Sequence, residues 1–395
     1  MDRRSFVRGM CLGGLATFVM PTVRFAQVPG RGRMVFVLLR GGFDGLAALV
    51  PYGDPSYRGI RGPMAFAPDA LTPLEHGFAL APGLAGLKDF WDRGELLAVH
   101  ALAIPYRTRS HFAGQAILET GLARPDGAAD GWINRLLQIM DGRRSGIAVA
   151  AGLPRSLSGP FPVTTWSPTR LGVVDDAYLD RLAYLYRTDP LLHDRFEAAL
   201  QMEKSEMDEG MGGGEGMMAA RRRGRPDPFV PVLRATARFL RDPEGPNVAA
   251  VEFSGWDTHA GQGMAGGRLD RLLTRLAEGL AAYQEEAGAS WRETTLVVMT
   301  EFGRTARPNG SGGTDHGTGG AAFVLGPRIA GSAVVADWPG LGERDLFEGR
   351  DVRPTVDTRA LLKGVVGGTF DLTARQAERI FPGSAEARGL YELMG

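Results

Sequence analysis

Four short apolar runs in the chain end abruptly on glycine or polar residues. MVFVLL, from Met34 to Leu39, stops at Arg40 and is followed by Gly41, Gly42, Phe43 and Asp44. ELLAVHAL leads into a loop that carries Ser110 and His111, NVAAVEF runs into SGWDTH, and TLVVMT runs into Glu301. Unbroken apolar stretches of this length, rich in β-branched residues, predict strands buried on both faces with polar tips. Between them the period changes. In RLDRLLTRLAEGLAAYQEEAG, the side chains of Leu269, Leu272, Leu273, Leu276 and Leu280 fall on one face, which predicts an amphipathic helix. Strands alternating with helices predict an α/β fold, a three-layer sandwich whose largely parallel central sheet is covered on both sides. In such sheets ligands bind beyond the carboxyl ends of the strands, so the polar tips are expected to converge.

Two stretches stand outside this alternation. Residues 202–228, MEKSEMDEGMGGGEGMMAARRRGRPDP, are rich in Gly and Met, then basic, with no apolar period, and read as a mobile surface insertion. Its Arg221, Arg222, Arg223 and Arg225 are either solvated loop charges or a grip for an anionic surface. Residues 1–27 carry the pair Arg3 and Arg4, then Phe6, then an apolar run to Val19 that is short for a bilayer span. This resembles a twin-arginine export signal and predicts a periplasmic or secreted protein handled by the twin-arginine machinery, with no stable membrane span after cleavage; an uncleaved N-terminal anchor is the alternative. Residues 28–395 are then one domain. The single cysteine, Cys11, lies within the signal, so the mature chain has neither disulfides nor thiolate chemistry.

Composition narrows the function by exclusion. Lys+Arg and Asp+Glu both total 45, so no overall field favours nucleic acid, and any charge-based function is local. The 56 glycines show no collagen-like period and predict tight loops and close backbone approaches. Histidine is scarce. Of six in the chain, His111, His259 and His316 lie in the expected tip loops, whereas His100 sits inside a predicted strand and His76 and His193 look incidental.

The tip residues have two readings each. Asp44, between Gly42 and Gly45 in the chain, is either a turn aspartate or a ligand to a bound group. Asp257 and His259 are one residue apart, so in an extended segment they point to the same side, as metal ligands do. Glu301 ends an apolar run and should meet a cation or Arg304. Asp315 and His316 close the loop NGSGGTDHGTGG, whose glycine content costs entropy on ordering and argues for binding over packing. No Gly-Lys-Ser/Thr follows, so the loop is not a nucleotide P-loop. Scarce imidazoles clustered with carboxylates favour a mixed nitrogen and oxygen site for a divalent ion: zinc, manganese or calcium. Ser110 is either a helix N-cap opening SHFAGQ or a nucleophile, and Trp256, beside Asp257, is a candidate sugar contact.

Taken together, LLRGGFDGLAALVPYGDPSY, YRTRSHFAGQAILETG, FSGWDTHAGQ and TEFGRTARPNGSGGTDHG resemble the exported bacterial family known as domain of unknown function 1501. That family is similar in turn to the alkaline phosphatase and sulfatase superfamily. The resemblance implies an alkaline-phosphatase-like fold and a metal-dependent hydrolase of phosphate or sulfate esters, acting on a small-molecule or saccharide ester. It implies a metal set of Asp44, Asp257, His259, Glu301, Asp315 and His316, and a catalytic set of Ser110 as nucleophile, His111 as acid, and Arg109 with Arg304 as charge neutralisers. Phe302 departs from the superfamily pattern, because histidine usually follows at that position. One imidazole ligand is therefore expected to be missing, and a non-catalytic exported binding protein holding a glycan or protein partner stands as the alternative.

Overall fold

The computed structural model describes residues 32–126, 130–140, 145–150, 152–167 and 229–395. The expected export signal and the insertion at 202–228 lie outside the described residues. The chain enters on β1 (Arg33–Arg40), then forms a small antiparallel sheet from β2 (Leu49–Val50), β3 (Thr72–Pro73) and β4 (Ala79–Leu80). Eight further strands complete a nine-stranded sheet with β1. They are β5 (Leu96–Ala103), β6 (Gly146–Val149), β7 (Thr164–Trp166), β8 (Val248–Ser254), β9 (Thr294–Met299), β10 (Gly320–Leu325), β11 (Ala333–Val335) and β12 (Val356–Asp357). Their spatial order is β11-β5-β10-β9-β1-β8-β6-β7, with β12 alongside β5.

β1 lies near the middle, paired in parallel with β8 on one side and β9 on the other. That placement explains its unbroken apolar run, since a central parallel strand meets helices on both faces. Alternate residues divide between the two layers. Val35, Val37 and Leu39 pack with Leu233, Leu273, Leu276 and Leu280 from α5 (Phe229–Arg241) and α6 (Arg268–Ala287). Met34, Phe36 and Leu38 pack with Trp132, Leu361 and Phe381, beside α4 (Trp132–Ile139), α7 (Thr358–Phe370) and α8 (Ala374–Ile380). The sandwich is three-layered. On α6 the expected apolar face is buried at Leu269, Leu273, Leu276 and Leu280, while Leu272 is only partly covered. Among the described residues no helix is long and apolar enough to cross a membrane.

One strand runs against the rest. β10 is antiparallel to both β9 and β5, whereas the other pairings of the large sheet are parallel. The start of β10 therefore lies at the same edge as the ends of β1, β5, β8 and β9, and that edge carries the site. Three short helices complete the description: α1 (Tyr57–Arg61), α2 (Lys88–Asp92) and α3 (His111–Thr120), the last following β5 at this edge.

Candidate metal centre

Each imidazole at the edge is held from behind by an acceptor on Nδ1. His111, the first residue of α3, places Nδ1 2.8 Å from Glu301 Oε1. His259, from the loop after β8, places Nδ1 3.1 Å from Asp315 Oδ1. His316, four residues before β10, places Nδ1 3.0 Å from the Arg109 carbonyl. With an acceptor on Nδ1, a neutral ring that keeps its hydrogen there offers Nε2 as a ligand.

Those Nε2 atoms turn toward one carboxylate. His111 Nε2 lies 3.5 Å from Asp257 Oδ2, and His316 Nε2 and His259 Nε2 lie 3.4 Å and 3.1 Å from Asp257 Oδ1. Ligand atoms of His111, Asp257 and His316 all fall within 4.8 Å of one another. His259 joins through His316, with the two Nε2 atoms 2.9 Å apart. Two lone pairs at that distance repel unless a proton or a cation lies between them. Burial, as the largest cause, pushes the His316 imidazole below its ordinary pKa. His111 Nε2 is itself buried and makes no hydrogen bond. One ion bound at roughly 2.0–2.1 Å sets its donors about 3.3 Å apart, and the separations here, from 2.9 Å to at most 4.8 Å, bracket that spacing, so these residues could hold a divalent cation.

Charge at the cluster is set by its neighbours. Glu301 is fully buried, and burial pushes its carboxyl up, but hydrogen bonds from His111, Gln115 and Thr300 outweigh this and hold it below the usual carboxylate range. Gly41 N also donates to Glu301, at 3.0 Å. The same Glu301 raises the His111 pKa. Burial likewise pushes Asp257 up, and Arg304, 2.6 Å from Oδ1, more than compensates. A hydrogen bond from Asn309 holds Asp315 low.

The expected site residues do not all meet at the shared carboxylate. Asp44 does not face the cluster: its Oδ2 accepts from Arg61 Nη2 and from Gln262 Nε2, both at 2.7 Å, in a buried ion pair. Glu301 and Asp315 stand behind histidines, on the nitrogens that face away from the shared carboxylate. His111 turns its imidazole into the cluster, with Nε2 3.5 Å from Asp257 Oδ2. Arg109 is tied to Asp351 and Glu348 at 2.8 Å and 2.5 Å, and the buried Arg304 bonds Asp257 and the Trp256 carbonyl through Nη2, while its Nε and Nη1 make no hydrogen bond. Phe302 is buried, with its ring centroid 4.8 Å from that of His111 and 5.0 Å from that of His316. His111, the first residue of α3, is the imidazole that stands against this ring. Trp256 is core, packed edge-on against Phe43 and Phe253. Ser110 is the exposed N-cap of α3 and makes no side-chain cap hydrogen bond.

Three supporting residues were not singled out from the sequence. Gln115 donates to Glu301 at 2.9 Å and Asn309 donates to Asp315 at 3.0 Å. Gln115 follows His111 by one helical turn, a spacing that puts both on one face and was readable. Asn309 and Gln262 carry no such local signal.

Comparison with known proteins gives a family and distant structural likenesses. The family model described as protein of unknown function (DUF1501) matches residues 97–381. No curated protein matches. Among solved structures, Ps i-CgsB in complex with k-i-k-neocarrahexaose is similar at 9% identity and TM-score 0.43, covering 91% of this chain and 77% of that one. The C-terminal periplasmic domain of EptC from Escherichia coli, in complex with Zn, is similar at 11% identity and TM-score 0.38, covering 75% of this chain and 73% of that one. A protein in the alkaline phosphatase superfamily from Vibrio parahaemolyticus is similar at 11% identity and TM-score 0.34, covering 78% and 63%.

Proposed function

The chain belongs to the family of proteins of unknown function DUF1501, and from that premise we propose that it is an exported, metal-dependent hydrolase of phosphate or sulfate esters. The observation that carries the metal is the common arrangement of His111, His259 and His316, each anchored through Nδ1 and each directing Nε2 toward Asp257. These four residues hold the ion. Three nitrogens and one carboxylate suit zinc or manganese and argue against calcium, which prefers oxygen ligands throughout. A divalent ion supplies Lewis-acid polarisation of an ester oxygen and charge stabilisation at the reacting centre.

The chain's own residues do the rest. Glu301, Asp315 and the Arg109 carbonyl hold each imidazole in the tautomer with a free Nε2. Arg304 keeps Asp257 ionised. Ser110, exposed at the start of α3 beside His111, offers a hydroxyl and the first free amides of a helix, where an anionic ester group is favoured. Phe302 closes the inner wall with an apolar surface. The substrate is a small-molecule or saccharide ester.

Elemental analysis of protein purified without added metal, followed by assays on nitrophenyl phosphate, bis-nitrophenyl phosphate and nitrophenyl sulfate, tests this reading. About one zinc or manganese per chain and turnover abolished by a chelator are expected. One observation favours a second reading: the Arg109 guanidinium is committed to Asp351 and Glu348. An exported binding protein that keeps one ion would show the metal and no turnover on any of the three esters. Export by the twin-arginine machinery is supported by Arg3 and Arg4. Replacing both, Arg3→Lys with Arg4→Lys, is expected to retain the chain in the cytoplasm on cell fractionation.

A further inference from the structure

Gln262 is completely buried, yet it belongs to no strand or helix and touches none of the four clustered donors. Both ends of its amide are engaged. Nε2 donates to Asp44 Oδ2 at 2.7 Å, and Oε1 accepts from Thr258 Oγ1 at 2.8 Å and from Thr314 Oγ1 at 2.9 Å. Thr258 precedes His259, and Thr314 lies two residues before His316. The two loops also meet through their backbones, Thr314 N donating to the Thr258 carbonyl at 3.2 Å.

The amide can be oriented in only one way. Asp44 Oδ2 accepts from the buried guanidinium of Arg61, 2.7 Å away, and a carboxylate in such an ion pair accepts hydrogen bonds without donating. Gln262 must therefore present NH2 to Asp44, which turns its carbonyl oxygen toward the two threonines. A flipped amide would set oxygen against carboxylate, two acceptors with no hydrogen between them. From β1, the Asp44–Arg61 pair thus fixes an acceptor that ties the His259 loop to the His316 loop.

We propose that Gln262, oriented by the Asp44–Arg61 ion pair, is the positioning residue that sets the separation of His259 and His316 by clamping Thr258 and Thr314. Its consequence for ion binding rests on the metal reading above; the clamp itself does not.

The test uses two variants at one position, made in the full mature chain. Thr314→Val keeps the shape and loses the hydroxyl, whereas Thr314→Ser keeps the hydroxyl and loses a methyl group. Zinc affinity is measured by competition with a chromophoric chelator, and amide hydrogen exchange is followed in the metal-free protein. Thr314→Val and Gln262→Leu are expected to weaken zinc binding by about 10- to 100-fold, the usual effect of removing an outer support. Both should speed exchange at the Thr314 amide by about tenfold or more, as local opening becomes easier. Thr314→Ser should behave as wild type in both measurements. Leu361→Ala, a core change on the opposite face of the sheet, should lower Tm without changing zinc affinity. If Thr314→Val matches wild type in exchange and affinity, or if Thr314→Ser is the more damaging change, the clamp is overturned and Thr314 merely fills space. A wild-type protein that binds no divalent ion sinks the metal reading alone, because the exchange comparison still decides the clamp.

Discussion

At the scale of single residues, the side chain's type was readable and its direction was not. His259 and His316 were marked by the scarcity of histidine, and Asp257 by its spacing from His259 at an expected strand end. Nothing local in the sequence says whether a carboxylate meets an ion or the far nitrogen of an imidazole, and Glu301 and Asp315 do the latter. Asp44 was hidden for a similar reason: its partner Arg61 lies on α1, brought in by a chain path without periodicity. Glu301→Gln offers the direct check. It removes the charge behind His111 while keeping the shape, and is expected to lower zinc affinity by about 10- to 100-fold with the fold retained. His259→Ala removes a donor outright and should cost more than Glu301→Gln in the same chelator competition.

At the scale of elements, the strands and the long helix were legible because burial on both faces, or on one face, leaves a pattern in sequence. The loops were legible only as glycine-rich. Their shape comes from backbone contacts that have no pattern. A Cβ at Gly313 would lie 2.3 Å from the Thr258 carbonyl oxygen, while one at Gly310 would meet nothing within 4 Å. Gly313→Ala is therefore expected to force the two loops apart, with a loss of about 1–3 kcal/mol in denaturant unfolding and weaker zinc uptake. Gly310→Ala should be silent in both measurements. The reversal of β10 was also unreadable, since a buried apolar run has no sign that gives its direction.

At the scale of the whole molecule, stability should respond to acid and to metal. Burial pushes the His100 imidazole down to about 4 from its ordinary 6.5, with Nδ1 accepting from Ala101 N at 2.7 Å. Because the unfolded chain takes up that proton first, the stability present above pH 6.5 is lost as pH falls toward 4, on the order of 3 kcal/mol at most. Denaturant unfolding at neutral pH and at pH 5 and 4 should show the loss, and His100→Gln should reduce it. Saturation with zinc acts in the opposite direction. At about one hundred times Kd it should add roughly 2.7 kcal/mol, visible as a higher Tm that returns on chelation.

The single reversed strand has a topological corollary. Since β9 and β10 lie side by side, the long connection between them leaves and rejoins the sheet at adjacent positions, and its outermost residues, Gly310 to Gly312, are exposed. A protease cut at that tip would create new chain ends while both stumps stayed gripped by neighbouring strands. The nicked protein should therefore migrate as one particle under native conditions and as two fragments once denatured, and the same point would tolerate relocated termini.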